Sequence, residues 1–378
     1  MPALTNQARV AQFGHWLRGV VREREAAAHW RDSSWLPSHG SGEWALLVRG
    51  KPLTAMSLDE VKSRLHGWSP ASTTLVAGPG ELRFGSAASQ PELARWLRRK
   101  YTIGSVLCGC ICLALSIIAV LGFLSRPKLP LIGYAITAAI LAIVTLLEAH
   151  WAATVPQHLA DRNLFLHWLA KGPAARQASR FWLGVCALAG LIQLALVQSL
   201  GGLEPLVLAY GTYYPAVADH EYWRVLTGPF LHASFAHFLT NSILLVLVGT
   251  ICAAALGRAA VLVFLIGSVA AASAAAYDGL LAAPGYPFDA TSGFSGGIYA
   301  VVALLIVAAQ FERDLLPTGA SLQLLALLAI GMVDSTLIAS NVSTAGHVAG
   351  MATGAVAGLL VRPRARTALR AELAQRGP

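Results

Sequence analysis

Eight long apolar runs, each free of Asp, Glu, Lys and Arg, constrain this chain more than any other feature. They are Tyr101–Leu124, Leu129–Leu147, Phe181–Leu203, Phe238–Leu256, Ala259–Tyr277, Gly293–Phe311, Leu315–Val333 and Gly346–Val361. A helix needs about 20 such residues to cross about 30 Å of hydrocarbon, so counting runs counts spans. Lipid offers no partner to a backbone amide, which leaves a helix as the form each run takes. Composition agrees, since only 12% of the residues are charged, against about 25% in soluble domains. The expected fold class is therefore an all-α polytopic membrane protein.

The net charge of +9 could suggest a nucleic acid partner, but the cations flank the spans instead of forming one stripe. Arg98-Arg99-Lys100 precede the first span, Lys171, Arg176 and Arg180 the third, Arg258 sits in a tight turn, and Arg362, Arg364, Arg366 and Arg370 follow the last. Placing both termini in the cytoplasm puts all of these inside, as the positive-inside rule asks, while Arg126 and Lys128 fall outside as a minor violation. Trp16, Arg18, Arg22, Arg24 and Glu25 interrupt the start, so no signal peptide is expected there. Cys108, Cys110 and Cys112 lie at alternate positions of one span, where they cannot converge on a metal; they read as small hydrophobes, with palmitoylation the competing reading.

The chain divides accordingly. Residues 1–100 are expected to form a small soluble α/β domain, 101–148 a two-helix transmembrane hairpin, 149–180 a polar linker with a surface helix near Leu164–Leu169, 181–362 a six-helix core, and 363–378 a basic tail. In the first part, Trp44–Val48 reads as a strand, Arg49-Gly50-Lys51-Pro52 as a turn, and Thr73–Ala77 as a second strand. Ser57-Leu58-Asp59-Glu60 has the form of a capping box opening a helix to about Leu65. Gln7–Ala28 looks helical, and Pro91–Arg99 a helix leading into the membrane. The order Trp strand, Ser-Leu-x-Glu helix, Thr-x-Val strand resembles a GYF-type adaptor, which implies a cytoplasmic partner; a folding cap without one is the alternative.

A polar residue inside a span is costly unless it faces a cavity or a partner, so each is a functional candidate. Three sets stand at one end of the core. Gly293-Phe294-Ser295-Gly296 opens the fourth core helix; alone, such a serine commonly bonds its own backbone and such glycines serve packing. Gly346-His347 opens the sixth, followed by Gly350, Gly354 and Gly358, a stripe that lets another backbone approach. If Gly293 and Gly297 pack on that stripe, Ser295 comes within reach of His347, the geometry that activates a hydroxyl. Tyr299, four residues after Ser295, shares its face and is placed to stack on the imidazole. His232, His237 and Asn241 form the third set; His237 and Asn241 lie one turn apart, and with the Ser295 N–H they suit an oxyanion. A structural network and a metal site are the competing readings; for a metal, no carboxylate or further imidazole apart from His347 is well placed on the facing helices.

Taken together, Glu221-Tyr222-Trp223-Arg224, His232, His237, Asn241, Gly293-Phe294-Ser295-Gly296, Tyr299 and His347 resemble a rhomboid protease from Phe181 to Arg362. The resemblance implies a six-helix rhomboid-type core and an intramembrane serine endopeptidase. Ser295 would be nucleophile, His347 base, and His237, Asn241 and Ser295 the oxyanion stabilisers, supported by His232, Tyr299, Gly293 and Gly296, with Trp223-Arg224 in a bracing loop. Substrates would be other transmembrane proteins in the bilayer; no metal or cofactor is implied, and chelators should not inhibit. Gly346 and Thr344 depart from the Ala and Asn common in the family beside the catalytic histidine. The expected location is a bacterial inner membrane, with the site toward the outer face. The competing functions are a non-catalytic rhomboid-like protein that binds transmembrane helices, and a transporter, for which Asp334 is the one intramembrane carboxylate of interest.

Overall fold

The structure, a computed structural model, describes Trp30 and residues 36–39, 42–48, 51–65, 74–155, 157–281, 290–312, 314–338 and 343–375, with side chains to residue 361. The expected helix over Gln7–Ala28 lies outside the described residues.

Near the N-terminus, strand β1 (Trp44–Val48) pairs antiparallel with β2 (Lys51–Met56) on one side and β3 (Leu75–Ala77) on the other. The stretch read as a turn thus runs from Lys51 directly into a further strand. β1 has no polar alternation because both its faces are covered. Trp44 and Leu46 join a cluster with Val61, Leu65, Leu93 and Leu97, while Ala45 and Leu47 pack with Leu75, Ala77 and Phe84. Helix α1 (Leu58–Arg64) opens on the expected capping box: Ser57 accepts from the Glu60 N–H, and the Glu60 carboxylate accepts from the Ser57 N–H.

Helix α2 (Pro91–Ser125) runs unbroken from this module into the membrane and turns back as α3 (Leu129–Thr154). At about 1.5 Å per residue it is far longer than the hydrocarbon, so its first turns stand clear of it. Helix α4 (His158–Lys171) follows, and here the expectation fails: it is a buried joint, not a surface helix. Its Leu159 enters the cluster on one side of β1, its Leu164 packs against the other, and Phe165 and Trp168 belong to the membrane core. Its polar appearance came from His158, Asn163 and His167, all buried.

The core comprises α5 (Pro173–Leu200), a loop with short helices α6 (Leu203–Tyr210), α7 (Tyr214–Ala218) and α8 (Arg224–Thr227), then α9 (Phe235–Leu256), α10 (Arg258–Leu281), α11 (Ser295–Phe311), α12 (Ala320–Val333, continued by a π turn at Asp334–Ile338) and α13 (Thr344–Gln375). Among the described residues, seven helices are long and apolar enough to cross a membrane, and α11 is a shorter apolar eighth. This is a multi-pass integral membrane protein, and each expected run falls largely on one of these helices, though the run from Leu315 starts five residues before α12.

Helix α11 is the axis of the bundle. Gly296 through Leu305 are all buried, wrapped by α9, α10, α12 and α13. Its 17 residues span only about 25 Å at 1.5 Å per residue, less than the hydrocarbon. A central helix shorter than the hydrocarbon is thick falls short of the boundary at one end or the other, and its first residue is only partly buried. That residue is Ser295.

Candidate active site

Chain geometry aims Ser295 before any partner does. A two-residue ladder, β4 (Thr212–Tyr213) with β5 (Ala290–Thr291), holds the incoming strand, and the Gly293 N–H donates to the Gly228 carbonyl at 3.3 Å. At Gly293 the backbone takes φ +111°, a conformation that favours glycine, and Phe294 is then buried as the helix opens. The N–H groups of the first turn have no carbonyl one turn behind them, so they present donors and a partial positive charge beside the Ser295 hydroxyl.

Helix α13 delivers His347. A Cβ at Gly350 would strike the Gly296 carbonyl, and one at Gly354 the Ala300 carbonyl, so the two backbones are in direct contact. The expected close approach occurs, but on another face. Gly296 and Ala300 meet the stripe, while Gly297 turns to Phe264 and Ser268 of α10 and Gly293 to the α9 histidine and asparagine. Successive helical positions point about 100° apart, which gives 296 and 297 different neighbours, while Gly293 lies in the turn before the helix.

The outcome at the seam is a 2.9 Å contact between His347 Nε2 and Ser295 Oγ. The imidazole is 7% exposed and stacks on the Tyr299 ring at 4.1 Å between centroids and 13° between planes. Ser295 and Tyr299, one turn apart, therefore hold the ring at one nitrogen and one face. Tyr299 is itself hemmed in, since a Cβ at Gly331 of α12 would strike its hydroxyl.

Across the opening stands the start of α9. Ser234 caps it, accepting from the His237 N–H at 3.2 Å. His237 and Asn241 lie one turn apart and converge on Gly293: a Cβ there would be 3.0 Å from His237 Nε2 and 3.1 Å from Asn241 Nδ2. The missing side chain leaves a small concavity lined by these two groups. His232, fully buried, lies edge-on to Phe294 at 4.4 Å, with its Nε2 3.2 Å from Asn241 Nδ2. Ser295, His347, His237, Asn241, His232, Tyr299, Gly293 and Gly296 thus all fall in one neighbourhood.

The first core loop braces it. Arg224 donates to the carbonyls of Leu208 (2.9 Å) and Gly211 (3.3 Å) and to Glu221 (2.7 Å), and its guanidinium lies over the half-exposed Trp223 ring at 4.7 Å. Thr212, paired with Thr291 next to the serine turn, donates to the Arg224 carbonyl. Asp334 is exposed at the head of the π turn. Among the described residues no three His, Cys, Asp or Glu side chains are grouped to hold a metal.

Sequence reasoning passed over Gln193, a buried amide within α5 bonded to the backbone of His232. The signal was available, for a glutamine inside an apolar span is as unusual as the residues that were noticed.

Fold and site together define a polytopic helical membrane protein with a hydroxyl–imidazole pair sunk at the mouth of its bundle. Residues 219–364 match the model of the Rhomboid domain. A putative rhomboid protease of Bacillus subtilis, YdcA, is 29% identical over 143 residues, 38% of this chain and 68% of that protein. The rhomboid protease GlpG of Haemophilus influenzae is 28% identical over 188 residues, 49% of this chain and 92% of that protein. Over this part of its length the chain is similar to the rhomboid family.

Proposed function

We propose that the protein is an intramembrane serine endopeptidase that cuts other membrane proteins in or near their transmembrane segments, using Ser295 and His347. The observation carrying this is the 2.9 Å contact of Nε2 with Oγ on an imidazole clamped by Tyr299. His347 takes the hydroxyl proton as Ser295 attacks the scissile carbonyl, and returns it to the leaving amine; water then releases the acyl group by the same exchange. Negative charge forms on the carbonyl oxygen beside Gly293. There the Ser295 N–H, His237 Nε2 and Asn241 Nδ2 supply donors already in place, so little reorganisation accompanies the reaction.

Hydrolysis needs water, and the partly exposed turn from Thr291 to Ser295 supports a route for it from one membrane face. The flanking cations favour that face being the outer one, with both termini cytoplasmic in a bacterial plasma membrane. The similarity to rhomboid proteases and the membrane-length helices around the site support membrane proteins as the substrate class.

The test is cleavage of a single-span substrate by purified protein in detergent or vesicles, alongside labelling by a fluorophosphonate probe. Wild-type protein is expected to cleave and to label. Ser295→Ala is expected to do neither, and His347→Ala to cleave at least about 10³-fold more slowly, as loss of a base from such a pair does elsewhere. Equal cleavage by the Ser295→Ala variant ends the reading. A folded wild type that is silent in both assays favours a helix-binding protein instead.

A further inference from the structure

We infer that Gln193 of α5 is a positioning residue for the oxyanion donors, acting on Asn241 through the main chain of His232. His232 lies in an extended stretch between the 3₁₀ turn Gly228–Phe230 and the cap of α9 at Ser234. No ladder or helix serves its backbone groups there. Gln193 serves both, donating from Nε2 to the His232 carbonyl at 2.9 Å and accepting at Oε1 from the His232 N–H at 2.9 Å. A backbone N–H or C=O buried without a partner is costly, so this pair fixes where His232 can sit. A carboxamide accepts and donates at once, through separate atoms and without carrying charge at any pH, which suits a buried position within a span.

The imidazole so placed decides which way the Asn241 amide faces. A nitrogen–nitrogen contact of 3.2 Å requires His232 Nε2 to accept and Asn241 Nδ2 to donate. One amide hydrogen is thereby engaged, and Nδ2 keeps the other for the space beside Gly293. Turned over, the amide would present Oδ1 to that space, and an oxygen lone pair would repel the charge it is meant to receive. Three links thus join α5, which contributes no group to the proposed reaction, to the oxyanion side of the site.

This inference rests on the proteolytic reading, and the experiment separates the two. Cleavage of a single-span substrate and the rate of fluorophosphonate labelling are measured from pH 5 to 9 for wild type, Gln193→Leu and Gln193→Glu, each shown folded by thermal unfolding. The Leu variant is expected to lose about ten- to a hundredfold in kcat with KM within twofold, and to label more slowly by a similar factor. The Glu variant, when protonated, again has one donor and one acceptor; its activity relative to wild type is expected to climb as pH falls, while the Leu ratio stays flat. A Leu variant with kcat within twofold of wild type overturns the inference. So does a loss confined to KM, a Glu-to-wild-type ratio that does not change with pH, or failure of both variants to fold, which would make Gln193 a purely structural tie. A silent wild type overturns the proteolytic reading instead.

Discussion

Gly293 shows how much can hang on an absent side chain. Its φ of +111° is strained for any L residue, and the space its Cβ would fill is the one His237 and Asn241 line. Gly293→Ala is therefore expected to cost about 1–2 kcal/mol of stability from backbone strain and to reduce kcat far more than that, by crowding the carbonyl oxygen. Asn241→Ala separates the two effects: it frees space and removes a donor, and is expected to lower kcat about 10²–10³-fold with little change in KM. Thermal unfolding and steady-state kinetics on both variants check this, and an Asn241→Ala enzyme with wild-type kcat would exclude the amide from the reaction. At this scale the sequence was highly legible, because a polar side chain in an apolar run announces itself. Gln193 escaped attention although it obeyed the same rule. Its partner is a backbone 39 residues away, and no motif spacing encodes a bond to main chain.

Among the elements, the pairing of α11 with α13 decides whether serine and histidine meet. The glycine stripe signalled close packing, but small residues on several faces of α11 left the facing set undetermined. Gly296 is shared, meeting Ala271 of α10 on one side and Gly350 on the other, and Gly267 of α10 in turn meets Ala300. Such helices are crowded all round, so the sequence alone could not say which neighbour lies on which face. The structure predicts that Gly354→Val forces α13 away from the Ala300 carbonyl one turn below the site. Overpacking of this kind costs about 1–3 kcal/mol or more. Because the displaced helix carries His347, kcat is expected to fall beyond what unfolding explains. Gly358→Ala, meeting the Val307 side chain further down, is expected to be milder. Equal kcat in Gly354→Val and wild type would show that α13 has slack to yield without moving the histidine.

For the molecule as a whole, the question is what ties the N-terminal half to the six-helix bundle, since about half of this chain lies outside its match to GlpG. The sequence marked α3 as a plain span ending at Leu147, one residue short of the answer. Glu148, 4% exposed, accepts from Tyr101 of α2 (3.1 Å) and Gln323 of α12 (2.6 Å) and contacts His158 (3.0 Å) and Arg162 (2.7 Å) of α4. Four helices therefore converge on one carboxylate. At the opposite end of α3, Gly133 lies close against Leu337 and Ile338, so α12 is held along its length by a helix from outside the six-helix core. Removing one partner from a buried ion pair strands the other, so Glu148→Ala is expected to lower unfolding free energy by about 3 kcal/mol. Most of that penalty falls on Arg162, left without its anion, and on His158, left without a hydrogen-bond partner at Nε2. Arg162→Ala, whose side chain is 25% exposed, is expected to cost less, and the double variant less than the sum of the two, by about 1 kcal/mol or more of coupling. Equilibrium unfolding of the three variants in mixed micelles measures this; strict additivity would mean that Glu148 and Arg162 are neighbours without being partners, and that packing alone joins the two halves.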